Sequence, residues 1–259
     1  MKIFDMHVHV FPDAVAHKAV DNLADYYHVK MASGGTLADF EQSVRETPDI
    51  KKCLIHSTAT TAHQVESVNN FVASLINDDI LGFGSMHSDY GDIAGEMDRM
   101  ISLGLRGIKL HTDFQRFNAD SDEACKIYEC AEGKLPILFH AGDKNTDFSS
   151  PRRIRHVHDM FPNLTIIAAH LGGYSEWDES EKYLVGTDVY FDTSSVLQSI
   201  SKEQAVRIIR NHGADKCFFG TDYPMHNRAL VEKQFLELGL TEEENRKILW
   251  NNAIKFFNL

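Results

Sequence analysis

Residues 136–173 read PILFHAGDKNTDFSSPRRIRHVHDMFPNLTIIAAHLGG, and one repeating unit is visible in them. Pro136 to His140 is a short apolar, β-rich run that ends in a histidine and passes into Ala141-Gly142. Pro151 to Met160 follows with apolar residues at helical spacing. Thr165 to His170 is again β-rich and apolar, again ends in a histidine, and passes into Leu-Gly-Gly. The unit is strand, helix, strand.

Outward from this stretch the alternation continues to both ends. Ile3 to Val8, Lys52 to His56, Leu81 to Met86 and Gly107 to His111 are strand-like runs before it, and Val189 to Asp192 and Cys217 to Thr221 come after. That makes eight. Helical patterns separate them: Ala62 to Ile76, Asp92 to Leu103, Ser121 to Glu132, Ser201 to Asn211 and Asn227 to Leu238. Thr36-Leu-Ala-Asp39 carries a capping signal, and Thr241 with Glu244 three residues on is a capping box for a last helix reaching Phe257. Strict alternation implies a parallel sheet covered by helices, and eight repeats favour closure into an α/β (β/α)8 barrel. An open doubly wound sheet is the runner-up, but no glycine-rich phosphate loop supports it. The chain has 259 residues, which suits one barrel, and no shift of composition marks a second domain. Residues 1–259 are therefore expected to form a single domain. Val29 to Gly35 reads as a loop after the first strand, at the end of a barrel that carries function.

Apolar residues make up 43% and charged residues 25%, an ordinary balance for a soluble globular chain. With 26 basic and 38 acidic residues the formal charge is 26 − 38 = −12, which disfavours nucleic acid and anionic membranes as partners. A small-molecule substrate, even a carboxylate, stays allowed, because a bound cation inverts the local field. The N-terminal residues have no apolar core of a signal peptide, and no apolar run is long enough to span a membrane. Cys53, Cys125, Cys130 and Cys217 show no C-x-x-C spacing, so reduced, buried thiols in a cytoplasmic protein are expected. Nothing decides the oligomeric state; a homodimer is allowed.

The chemistry-bearing residues gather at strand ends. In Asp5-Met-His7-Val-His9 the two histidines are two apart on a strand, so both face the barrel mouth and can grip one ion. The bland alternative is two polar residues at a loop edge, each bonded to backbone. Strands five, six and eight decide against coincidence, since they end in His140, His170 and Asp222 beside small residues that let a ligand approach. In a barrel all these ends converge.

Taken with Gly107-Ile-Lys-Leu-His111, Phe219-Gly-Thr-Asp222 and the closing Lys247-Ile-Leu-x-x-Asn-Ala253, these motifs resemble the amidohydrolase superfamily over nearly the whole chain. The resemblance is nearest to the branch that includes aminocarboxymuconate-semialdehyde decarboxylase and pyrone-dicarboxylate lactonase. It implies a metallo-dependent barrel in which His7, His9, His140 and Asp222 hold a divalent metal, zinc or alternatively manganese, as one ion in preference to two. Such an ion activates water and polarises a carbonyl. Asp222 would also accept a proton, with His170 as general base or oxyanion partner, or as ligand of a second ion. In binuclear superfamily members a carboxylated lysine bridges the ions. Lys109 lies one layer deeper than His111, so the bridging role ranks behind that of an interior lysine paired with a carboxylate, or of a substrate contact. His111, Arg152 and Tyr174 are further substrate-binding candidates, Arg152 because arginine suits carboxylates.

Three functions follow in order. The first is a metal-dependent hydrolase of a small lactone, ester or amide. The second is a non-oxidative decarboxylase, a lyase, of a small carboxylic acid; the compact length places it behind. The third is a barrel that binds metal or ligand without turnover.

Overall fold

The computed structural model describes residues 1–259. Eight parallel strands follow one another round a barrel: β1 (Ile3–Val8), β2 (Ile50–His56), β3 (Ile80–Ser85), β4 (Ile108–Leu110), β5 (Ile137–Phe139), β6 (Ile166–Ala168), β7 (Tyr190–Asp192) and β8 (Cys217–Phe218). β8 returns to β1 through a parallel bridge between Val8 and Tyr223, with His9 N donating to Tyr223 O at 2.7 Å and Met6 N to Phe219 O at 2.8 Å. The barrel expected from the alternation is present. Strands β4 to β8 are shorter than their apolar runs because the chain leaves the sheet to build the mouth.

The helices, in chain order, are α1 (Asp13–Tyr27), α2 (Leu37–Glu46), α3 (Val65–Leu75), α4 (Ile93–Ser102), α5 (Thr112–Gln115), α6 (Asp122–Ala131), α7 (Pro151–Met160), α8 (Trp177–Tyr183), α9 (Lys202–His212), α10 (Arg228–Leu236), α11 (Glu242–Arg246) and α12 (Asn252–Phe257). Both capping boxes form, at Thr36/Asp39 and Thr241/Glu244. The last helix is not continuous, however. Residues Lys247–Asn251 widen into a π-turn, and Ile248 O accepts from Phe219 N of the barrel at 3.0 Å. Helix α1 has only Ala16 and Val20 buried; it lies over the mouth instead of on the sheet, which is why no core-facing stripe announces it. None of the helices is long and apolar enough to cross a membrane. All four cysteines are free; Cys53 and Cys217 are buried, whereas Cys125 and Cys130 are half-buried.

Two apolar layers sandwich the strands. Ile137, Phe139, Ile166 and Ala168 point outward to the helices, while Leu138, Ile167 and Phe218 point inward onto a floor closed by Phe257 of α12. Period-2 alternation alone would then send His7 and His170 the wrong way, since Met6, Ile167 and Ala169 are the inward residues. The backbone corrects this twice. The β1–β2 register shifts between Asp5 and Val8, so that His7 follows Met6 inward. His170 (φ 62°) and Leu171 (φ 52°) adopt left-handed conformations that turn the imidazole inward and Leu171 outward.

Candidate active site

The mouth is a cavity of about 1050 Å³ whose base is set by His7, His9, Lys109, His140, His170 and Asp222, under a cover supplied by α1. His7 Nδ1 donates to Asp192 Oδ2 at 2.8 Å and His9 Nδ1 to the His56 carbonyl at 3.2 Å. With both Nδ1 atoms committed as donors, Nε2 is the atom that each ring can offer a metal. Those Nε2 atoms face the same carboxylate oxygen, Asp222 Oδ1, at 3.4 and 3.3 Å. Burial lowers the His9 pKa, and Asp222 is held well below the usual carboxylate range: burial pushes it up, but the charge of His7 and the contact with His9 outweigh that. Three atoms of metal-ligand type thus converge at the base of the mouth. The donor set fits a divalent ion.

His170 belongs to the same group, because its ligand atom lies within 4.8 Å of those of His7 and Asp222. Its Nδ1 donates to Ser194 O at 2.8 Å, so Nε2 is the acceptor, and His140 Nδ1 sits 3.0 Å from it. His140 therefore reaches the cluster through His170. Its ring is stacked on His111 at 3.9 Å and 6°, and its Nε2 has no partner although it is buried. Burial depresses His170 to about 4 and holds His140, His111 and His56 well below the ordinary imidazole value, so these rings are neutral near pH 7. His56 stands edge-on to His7 and His9 with both ring nitrogens unpartnered. A separate group, His111, Asp113 and His140, also has ligand atoms within 4.8 Å. Parallel stacked rings cannot both aim in-plane lone pairs at one ion, so that group would have to rotate first.

Lys109 departs from the reading of a carboxylate-paired lysine. It is 1% exposed and lines the cavity, but makes neither ion pair nor hydrogen bond; Asp192 and Asp222 act on it only at a distance. Burial brings its pKa down to about 8. His111 and Tyr174 also line the cavity, and Tyr27 Oη meets His111 Nε2 at 2.9 Å. Arg152 is a correction. It is half-exposed on α7, pairs with Asp147 at 3.2 Å and is not part of the cavity wall, because the β5–α7 loop carries the helix start away from the mouth.

Several contributors escaped the sequence reading. Asp192 accepts from His7 Nδ1, from His170 N (3.0 Å) and from Ser194, and so orients two of the histidines. Its signal was available, since β7 ends in a ligand-type side chain as β5 and β6 do. Tyr27, Ser195 and His226 had none: they lie in a cover helix and in loops whose closeness only folding creates.

The family model described as Amidohydrolase matches residues 4–259. A gamma-resorcylate decarboxylase of Polaromonas sp. is 26% identical over 118 residues, which is 39% of this chain and 36% of that protein's own length. A solved dihydroxybenzoic acid decarboxylase from Polaromonas sp., with bound manganese and the inhibitor 2-nitroresorcinol, superposes with a TM-score of 0.77 at 16% identity, covering 100% of this chain and 97% of that one. A probable 2-pyrone-4,6-dicarboxylic acid hydrolase from Acinetobacter baumannii, with citric acid bound, gives 0.72 at 14% identity and covers 100% of both chains. At such identities the structural likeness is one of fold. The family match over almost the entire chain makes this protein a member of the amidohydrolase family.

Proposed function

We propose that the protein is a metal-dependent lyase that removes carbon dioxide, without oxidation, from a small flat carboxylic acid bearing a hydroxyl group. The observation that carries the metal is the convergence of His7 Nε2 and His9 Nε2 on Asp222 Oδ1. These three would hold one divalent ion, with His140 or His170 completing the set; zinc suits imidazole, and the manganese of a structural relative makes that ion the alternative. When bound, the ion supplies fixed positive charge that holds an anionic substrate oxygen and withdraws electron density from the bond to be broken. Residues 1–259 would work as one domain.

The chain's own groups suit an anion with a planar body. The unpaired Lys109 ammonium at the base of the cavity can anchor a carboxylate or phenolate, and Tyr27, Phe114 and Tyr174 offer aromatic walls. Loss of carbon dioxide leaves an electron pair on carbon that must be protonated, and Asp222, once it has itself received a proton, can deliver it. The partial likeness to a gamma-resorcylate decarboxylase supports this order of preference over hydrolysis. Hydrolysis of a small lactone, ester or amide is the second reading, favoured by the neutral His170, which can act as base where water replaces His140 on its Nε2.

Incubating the metal-loaded protein with hydroxylated benzoates should release carbon dioxide in proportion to product; lactone opening with no carbon dioxide from any acid would instead establish the second reading. Lys109→Met should raise KM for the anionic substrate by roughly 30-fold, equivalent to about 2 kcal/mol, with metal content unchanged. The ammonium form is lost as pH climbs through about 8, so KM of the unaltered enzyme should rise above that pH and the dependence should vanish in Lys109→Met. An unaltered KM in the variant would remove Lys109 from substrate binding.

A further inference from the structure

The two oxygens of Asp222 have different neighbours. Oδ1 faces His7 and His9, whereas Oδ2 accepts a hydrogen bond from Ser195 Oγ. The same hydroxyl lies 3.0 Å from His226 Nε2. An ionised carboxylate has no proton to give, so Ser195 must be the donor to Asp222. Having spent its only hydrogen, the Ser195 oxygen can then only accept, and His226 Nε2 must carry one. The bonds run in one direction: His226 Nε2–H to Ser195 Oγ–H to Asp222 Oδ2.

Placement agrees with transport. Ser195 is buried at 3% exposure, and both Ser195 (φ 51°) and Asp222 (φ 59°) sit in the left-handed region. His226 is half-buried and does not line the cavity, although its neighbours Pro224 and Met225 do. It can stay in contact with water while substrate fills the mouth.

We propose that His226 and Ser195 form a proton relay that resupplies Asp222 from solvent during turnover. The direction of transport rests on the decarboxylase reading, because decarboxylation consumes one proton per cycle. The bond from the ring carbon to the carboxylate breaks, its electron pair stays on the ring carbon, and carbon dioxide leaves. Ser195 passes its hydroxyl proton to Asp222 Oδ2 as His226 Nε2 passes one to Ser195, while water protonates His226 Nδ1 and leaves as hydroxide. The ring carbon then takes the delivered proton from Asp222, which returns to its ionised form. Exchange with water then returns the ring to its starting tautomer.

The test uses the metal-loaded protein. His226→Gln keeps an N–H donor for Ser195 but cannot pass a proton on, and His226→Ala removes the ring. Both should retain metal content and KM within about two-fold, and lose kcat for carbon dioxide release by at least about ten-fold. Imidazole in the buffer should restore part of the rate to His226→Ala in a dose-dependent way. Wild-type kcat in either variant, or indifference of His226→Ala to imidazole, overturns the relay. A second readout needs no turnover. In ¹⁵N-labelled protein His226 should be the Nε2–H tautomer, with a slowly exchanging proton that Ser195→Gly releases; the Nδ1–H tautomer overturns the relay. If the unaltered protein releases carbon dioxide from no acid, the decarboxylase reading fails by itself, and the tautomer measurement still decides whether the chain of donors exists.

Discussion

Asp222→Asn should lower kcat/KM by about three orders of magnitude while the barrel still folds. A resident ion contributes several kcal/mol to the stabilisation of developing charge, and about 4 kcal/mol corresponds to roughly a thousand-fold in rate. Asparagine is the informative replacement. It keeps the shape of the side chain and is among the few residues that tolerate the φ of 59° at this position, so the backbone has no reason to move. What disappears is one negative charge opposite two imidazole nitrogens, and with it the attraction for a cation. His7→Ala should be equally damaging, but less cleanly, since it also deprives buried Asp192 of its 2.8 Å partner. Near-normal turnover in metal-depleted Asp222→Asn would show that the carboxylate serves neither ion nor substrate. Measuring metal content beside kcat/KM separates loss of the ion from loss of the fold.

The second large effect concerns stability and arises behind the site. Asp5 is fully buried, and accepts from Thr221 N at 2.9 Å, Thr221 Oγ1 at 2.7 Å and Arg228 Nε at 3.2 Å. Arg228 is 2% exposed, reaches Ser43 at 3.2 Å, and lies over the Phe40 ring at 5.4 Å. This group ties β1, the loop that carries Asp222 and helices α2 and α10 into one unit. Burial pushes the Asp5 pKa up, and the charge of Arg228 opposes the rise. Arg228→Met should therefore cost about 3–5 kcal/mol, because it strands a buried carboxylate. In a chain of this size that is a fall in Tm of about 10 °C. Adding Asp5→Asn should recover a substantial part of the loss, since the stranded charge goes with it. A single variant as stable as the parent would mean that the pair has little structural weight.

How far the molecule could be read from its sequence differs between elements. The barrel was legible because each strand is a short β-rich run and each intervening segment has helical period, as in Ile137-Leu-Phe and Pro151–Met160. The gathering of His7, His9, His140, His170 and Asp222 at one mouth was legible too, because parallel strands deliver their C-terminal ends to one place. The way each side chain is aimed was not. His7 depends on a register shift, and His170 and Asp222 on left-handed backbone; no pattern of apolar residues records either. Helix α1 was obscure for the opposite reason. It covers a polar mouth, so it lacks the stripe that marks a helix on a core. Arg152 was a candidate from its chemistry and its place after strand five, yet the loop turns it to solvent and Asp147. Lys109 ran the other way: an interior lysine suggested a buried partner, and the cavity leaves the ammonium unpaired.

The central claim is that one cation sits between His7, His9 and Asp222, and anomalous scattering from crystals of the metal-loaded protein tests it most directly. The account predicts a single strong peak enclosed by Nε2 of His7, Nε2 of His9 and Asp222 Oδ1, missing in Asp222→Asn. A peak held instead by His111 and Asp113, or none at all in an active crystal, would contradict it.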